Sequence, residues 1–152
     1  MPTITTFLTF NDQAEAAVRH YLAVFESGKI LETMPGPGGT VMSVTFELFG
    51  KKHVALNGGP SFSFSQGISL FVECDTQAEI DRFYGKLTAD GGKEVQCGWL
   101  VDKFGVSWQI VPKNLRDLIG GKDPAGAGRA VQAMLKMKKL DITELERAYV
   151  GA

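Results

Sequence analysis

Few side chains in this chain are equipped for chemistry, and their surroundings limit what they can do. There are two histidines, His20 and His53, and two cysteines, Cys74 and Cys97. Neither histidine has a second histidine or a carboxylate at ligand spacing, so surface or half-buried structural roles are expected for both. Cys97 lies in Cys97-Gly-Trp99, with no identifiable base or positive group to activate a thiolate, and inert packing is expected. Cys74, just before Asp75, reads as structural in the same way. Asn57-Gly-Gly-Pro60 lacks the glycine spacing and the following Lys-Ser/Thr or helix that would cradle a phosphate. Binding chemistry is what remains. Trp99 and Trp108 are candidates for the walls of an apolar pocket or for core packing. Side chains alternate along a strand, so Ser107, Gln109 and Val111 share one face while Trp108 and Ile110 share the other. If Gln109, with two donors and an acceptor, faces a ligand site, Trp108 faces the core; a strand residue satisfied by neighbouring side chains is the alternative for Gln109.

The elements that must position these residues follow from pattern. Residues 3–10 are β-branched and aromatic without a breaker, which predicts a strand. Asp12 and Glu15 have capping-box spacing, and Ala17, Val18, Tyr21, Val24 and Phe25 recur at helical spacing, predicting a helix over 13–25. A strand over 29–32, a mobile loop over 34–39, strands over 41–48 and 52–57, and a linker over 61–66 come next. The pattern then restarts. A strand over 68–74 precedes Thr76 and Glu79, again at capping-box spacing, and a helical face of Ile80, Phe83, Tyr84 and Leu87. Short strands over 94–96, 99–101 and 106–111 close the second series.

Matched landmarks make this a repeat. Arg19-His20-Tyr21 corresponds to Arg82-Phe83-Tyr84, and Phe49-Gly50 to Phe104-Gly105, in the same order within two strand–helix–three-strand series. A single sheet with unrelated halves is the competing reading. Beyond Pro112, helices are expected over 114–119, 125–137 and 142–149, with Asp141 and Glu144 at a third capping spacing. The expected organisation is a paired domain over 1–115, with modules near 1–60 and 67–112, and a helical extension over 116–152.

Composition narrows the function classes. At 152 residues, 44% hydrophobic and 22% charged, the chain suits one ordinary globular domain with a real core. A net charge of -1 provides no basic footprint for nucleic acid. No apolar run approaches the length of a bilayer span, and the lysines near Met134 and Met137 are too few to anchor a membrane helix stably. Met1-Pro-Thr-Ile lacks the charged and apolar regions of a signal peptide, so the cytoplasm and reduced cysteines are expected.

Three stretches carry a family likeness. These are Asn57-Gly-Gly-Pro60, the run from Cys97 to Pro112 (CGWLVDKFGVSWQIVP) and the run from Ala133 to Asp141 (AMLKMKKLD). In them the chain resembles the PhnB-like branch of the vicinal-oxygen-chelate superfamily, which includes glyoxalases, extradiol dioxygenases and antibiotic-resistance proteins. The resemblance implies an α+β fold of two βαβββ modules forming a cupped mixed sheet, often assembled as a homodimer with or without exchanged modules. It also implies metal ligands on the first and last strands of each module. An Asp-x-x-Gly-x-x-x-Glu pattern in the last strand is met here by Asp102, Gly105 and, at the ligand position, Gln109. The equivalent position of the first module is Val54, the opening strand of the second module offers Ser69, and that of the first offers Thr5 or Thr6. An amide, an aliphatic group and two hydroxyls are poor ligands for any divalent ion, so no metal and no cofactor are expected. A methyltransferase label carried by some PhnB-like sequences finds no support in a glycine-rich strand-to-helix turn.

The resulting expectation is a metal-independent small-molecule-binding protein using Gln109, Ser69, Thr5, Phe7, Phe71 and Trp99, with its ligand unidentified. Two alternatives stay open: an enzyme of the superfamily type with an atypical site, and an interaction module that uses the C-terminal helices.

Overall fold

The computed structural model describes Met1–Ala152 and separates after Phe64 into two units, Met1–Phe64 and Ser65–Ala152. In the first unit the order is β1 (Thr6–Phe10), α1 (Ala14–Phe25), β2 (Lys29–Pro35), β3 (Val41–Leu48) and β4 (Lys51–Asn57). The sheet runs β1-β4-β3-β2, with β1 parallel to β4 and the other pairs antiparallel. One face is covered by α1, which buries Ala14, Ala17, Val18, Tyr21, Val24 and Phe25, the helical stripe expected from spacing. On the sheet Leu8, Phe10, Val44, Phe46 and Ala55 are buried.

Three local expectations are corrected here. The ladder between β1 and β4 begins at Thr6 opposite His53, so Thr5 and the residues before it stay outside the sheet. Asp12 does not cap α1. Gln13 occupies the cap position without a side-chain bond, and Asn57, at the end of β4, supplies the acceptor instead. Its Oδ1 accepts from the Ala14 amide at 2.9 Å while its Nδ2 donates to the Val41 carbonyl at 2.9 Å. The cap comes from 43 residues away, beyond the reach of a local motif. Finally, β2 continues to Pro35 because two register shifts let it stay paired with β3.

The second unit repeats this plan as β5 (Leu70–Cys74), α2 (Gln77–Thr88), β6 (Lys93–Glu94), β7 (Trp99–Val101) and β8 (Ser107–Pro112). The sheet order β5-β8-β7-β6 and the parallel β5–β8 pair match the first unit strand for strand. Here the capping box forms as predicted: the Thr76 hydroxyl accepts from the Glu79 amide at 3.2 Å, and the Glu79 carboxylate accepts from the Thr76 amide at 3.1 Å. The repeated tyrosines, Tyr21 and Tyr84, are both buried.

The helices α3 (Leu115–Ile119), α4 (Pro124–Leu135) and α5 (Ile142–Val150) belong to this second unit. Leu115, Leu118, Ala130, Leu140 and Leu145 form one buried cluster with Val111 of β8. Asp141 caps α5 by accepting from the Glu144 amide at 3.0 Å. No helix is long and apolar enough to cross a membrane.

Burial also settles the reactivity of one thiol. Cys74 is 2% exposed and its thiol pKa is pushed up to about 12, by burial first and by Glu79 and Asp75 next. At pH 8, iodoacetamide is expected to leave Cys74 unmodified in the native protein and to label it after denaturation, as read by peptide mass spectrometry. Rapid native labelling at Cys74 would contradict this burial.

Candidate functional site on the second sheet

One face of the second sheet is packed and the other is partly open: Ser107 and Val111, which share it with Gln109, are buried, while Phe71 is exposed. Trp108 is 1% exposed and Ile110 and Leu100 are fully buried, which marks the packed face. Alternation then directs Phe71, Gln109 and Trp99 to the open face. The register joins them: Phe71 pairs with Gln109 across β5 and β8, and Gln109 pairs with Trp99 across β8 and β7. A half-buried amide therefore stands in a row between two aromatic side chains, each one strand spacing away, about 4.8 Å. Phe71 is 45% exposed, a large apolar surface left uncovered in this chain.

Ser69 adds the polar partner. Gln109 Nε2 donates to Ser69 Oγ at 2.9 Å. This bond fixes the amide, leaving Oε1 as an acceptor and the serine hydroxyl hydrogen as a donor for a bound molecule. Two residues selected separately from sequence, 40 positions apart, thus meet in one hydrogen-bonded pair. Glu73 shares this face by alternation from Phe71 and lies opposite Val111. It was missed by sequence reasoning, although its spacing from Phe71 carried the signal.

The first unit has the counterpart without the polar pair. Phe7, 58% exposed, is opposite Val54, as Phe71 is opposite Gln109. Counting back two residues equates Thr5 with Ser69, each standing one residue before its strand. The ladders therefore support the alignment made through the two Phe-Gly turns and select Thr5 over Thr6. Where the second unit has an amide, the first has the aliphatic Val54, buried at 9% exposure. The positions where the superfamily holds a divalent ion are thus occupied by groups that do not fit one, since no carboxylate, imidazole or thiolate stands among them.

The Asp and Gly that precede Gln109 do structural work. Asp102 is 2% exposed; its Oδ1 accepts from the Phe104 and Val106 amides at 2.8 and 3.0 Å, and its Oδ2 accepts from Trp108 Nε1 at 2.9 Å. Gly105 takes a φ of 95° in the same turn. Together they set where β8 begins and hence where Gln109 points.

The histidines stand apart from this chemistry. His53 alternates with Val54, so it projects to the helix-covered side of its own sheet, stacked on Phe46 with ring centroids 5.4 Å apart. Burial lowers its pKa, partly opposed by its bond to the Lys51 carbonyl. His20 lies on α1 beside Tyr21.

Comparison with known proteins identifies the family and the fold. The family described as 3-demethylubiquinone-9 3-methyltransferase matches residues 2–111. Among solved structures, a Bacillus cereus PhnB protein given that same methyltransferase description is 32% identical, with a TM-score of 0.67, and the match covers 73% of this chain and 99% of that one. A glyoxalase/bleomycin resistance protein from Albidiferax ferrireducens, 14% identical, has a TM-score of 0.51 over 72% of this chain and 97% of that one. The fosfomycin resistance protein FosX from Mesorhizobium loti, 12% identical, has a TM-score of 0.55 over 72% and 89%. These last two share the fold. No curated protein matches the chain.

Proposed function

Because the chain belongs to the PhnB-like family described as 3-demethylubiquinone-9 3-methyltransferase, within the vicinal-oxygen-chelate superfamily, we propose that it is a metal-independent binding protein for a small aromatic molecule. The observation that carries this reading is the row Phe71–Gln109–Trp99 with Ser69 bonded to the amide. Two aromatic side chains offer stacking surface to a planar ring. The fixed Gln109 Oε1 accepts from a ring hydroxyl or N–H, and Ser69 donates to a ring carbonyl. Methyl transfer is not part of the reading. The connections from β1 to α1 and from β5 to α2 contain no glycine at all, and so none of the turns that hold a methyl donor's nucleotide.

The proposal includes a cytoplasmic homodimer. Free Cys74 and Cys97 suit a reducing compartment, and exposed Leu31, Met34, Met42 and Ile68 leave apolar surface for a second copy. Light scattering with a mass of one chain would remove the dimer from the proposal.

A thermal-shift screen of phenols and hydroxyquinones tests the binding reading. Saturation at 100 times Kd is expected to stabilise the protein by about 2.7 kcal/mol. Gln109→Leu and Phe71→Ala are each expected to weaken the best binder by about tenfold or more. An empty screen, or binding unchanged by both substitutions, would refute the assignment of this face. A stoichiometric divalent metal retained through dialysis would refute its metal independence.

A further inference from the structure

Trp99 owes its position to a turn whose free donors are satisfied by the C-terminal extension. Residues 96–99 close on themselves, the Trp99 amide donating to the Gln96 carbonyl at 3.1 Å. Both central residues have positive φ, 62° at Cys97 and 85° at Gly98, so this is a tight reversal that disfavours a side chain at Cys97. In such a turn the two central amides point outward. Here they do not meet water: Cys97 N–H donates to the Met137 carbonyl at 2.8 Å, and Gly98 N–H to the Lys138 carbonyl at 2.7 Å. Gln96 Nε2 reaches the Leu135 carbonyl at 3.3 Å. A methyl on Gly98 would lie 2.8 Å from the Ile110 carbonyl and 3.0 Å from Leu140, so the turn is pressed between β8 and the extension.

The extension is itself clasped from α2. Gln77 uses both ends of its amide, Nε2 donating to the Leu140 carbonyl at 2.9 Å and Oε1 accepting from the Ile142 amide at 2.8 Å. Lys139 adds an ion pair with Asp81 at 2.8 Å. The clasp holds the segment 135–142 against the 96–98 turn, immediately before Trp99.

We propose that the C-terminal extension, which lies beyond residue 111 where the family match ends, is the positioning element for Trp99, and that Gln77 is the residue through which it is held. The functional consequence rests on the binding role proposed for the open face. Holding the turn preorganises one aromatic wall, so ligand affinity in this chain depends on a segment that does not touch the ligand.

The test uses full-length protein labelled with 5-fluorotryptophan, whose two ¹⁹F resonances are assigned with Trp99→Phe. In Gln77→Ala, exchange of the Cys97 and Gly98 amides is expected to rise on the order of tenfold. The Trp99 resonance is expected to shift or broaden while that of Trp108 holds still. Leu140→Ala, which loosens the same contact from the other side, is expected to do the same. Faster amide exchange with an unmoved Trp99 resonance would overturn the proposal, and so would unchanged exchange in Gln77→Ala. Should Leu140→Ala fail to fold, Gln77→Ala decides alone. A titration with 2-naphthol separates the two readings. If wild type binds it, about fivefold weaker binding is expected in Gln77→Ala, and equal affinity would overturn the link to ligand. If wild type does not bind it, the functional reading loses this ligand, while the ¹⁹F and exchange results still decide the positioning claim.

Discussion

Asp102→Ala is expected to destabilise the second unit by about 4 kcal/mol, lowering its melting temperature by about 20 °C. Three donors, the Phe104 and Val106 amides and Trp108 Nε1, converge on a carboxylate that is 2% exposed. Removing it strands the buried Val106 amide and Trp108 indole N–H and leaves the part-buried Phe104 amide without this acceptor, and each stranded buried donor costs about 1–3 kcal/mol. Asp102→Asn separates the contributions. The amide keeps an oxygen for the two backbone donors but sets an N–H against the indole N–H, so about half the loss is expected. Urea denaturation followed by tryptophan fluorescence measures both. Equal stability of all three proteins would mean that the turn is held by something other than this carboxylate.

Ending the chain at Pro112 is expected to abolish cooperative folding of the second unit at 25 °C. The truncation removes Leu115, Leu118, Ala130, Leu140 and Leu145 from the cluster on Val111, each leucine worth about 1.5–3 kcal/mol of burial when fully covered. It also strips the Cys97 and Gly98 amides of their acceptors. Domains of this size have only about 5–15 kcal/mol in hand. The Bacillus cereus relative is covered to 99% by a match that leaves about a quarter of this chain without a counterpart, which makes the truncation a direct test of what that quarter adds. A sharp thermal transition and dispersed amide spectrum from the truncated second unit would show that the extension is dispensable. The same experiment bears on a role for the C-terminal helices in partner binding. Leu140 and Leu145 are fully buried within the chain's own second unit, so they offer nothing to a partner unless the helices detach.

Much of the fold was legible from local signals. Amphipathic spacing located α1 and α2, the paired Phe-Gly turns aligned the modules, the box at Thr76 formed in full, and at Asp141 the N-cap half of the box formed. The box at Asp12 did not form, although its spacing was equally good, because Asn57 brings a better-placed acceptor from across the unit. Period-two alternation was enough to separate Gln109 from Trp108, because adjacent residues of a strand must face opposite ways. It was not enough to place Ser69 beside Gln109, since that depends on which residue of β5 falls opposite which residue of β8.

The resemblance to the PhnB-like branch implied amide, hydroxyl and valine at the family's ligand positions; from the order of its residues alone, the chain determined its repeat and its α+β class. These are properties of residue identity and local periodicity, and they survive without knowing any long-range contact. Only the tertiary structure decided the row Phe71–Gln109–Trp99, the Ser69 bond, the Asn57 cap and the grip of residues 135–142 on the turn before Trp99. Each of these joins groups tens of residues apart, and register between distant segments is set by the packing of the whole unit.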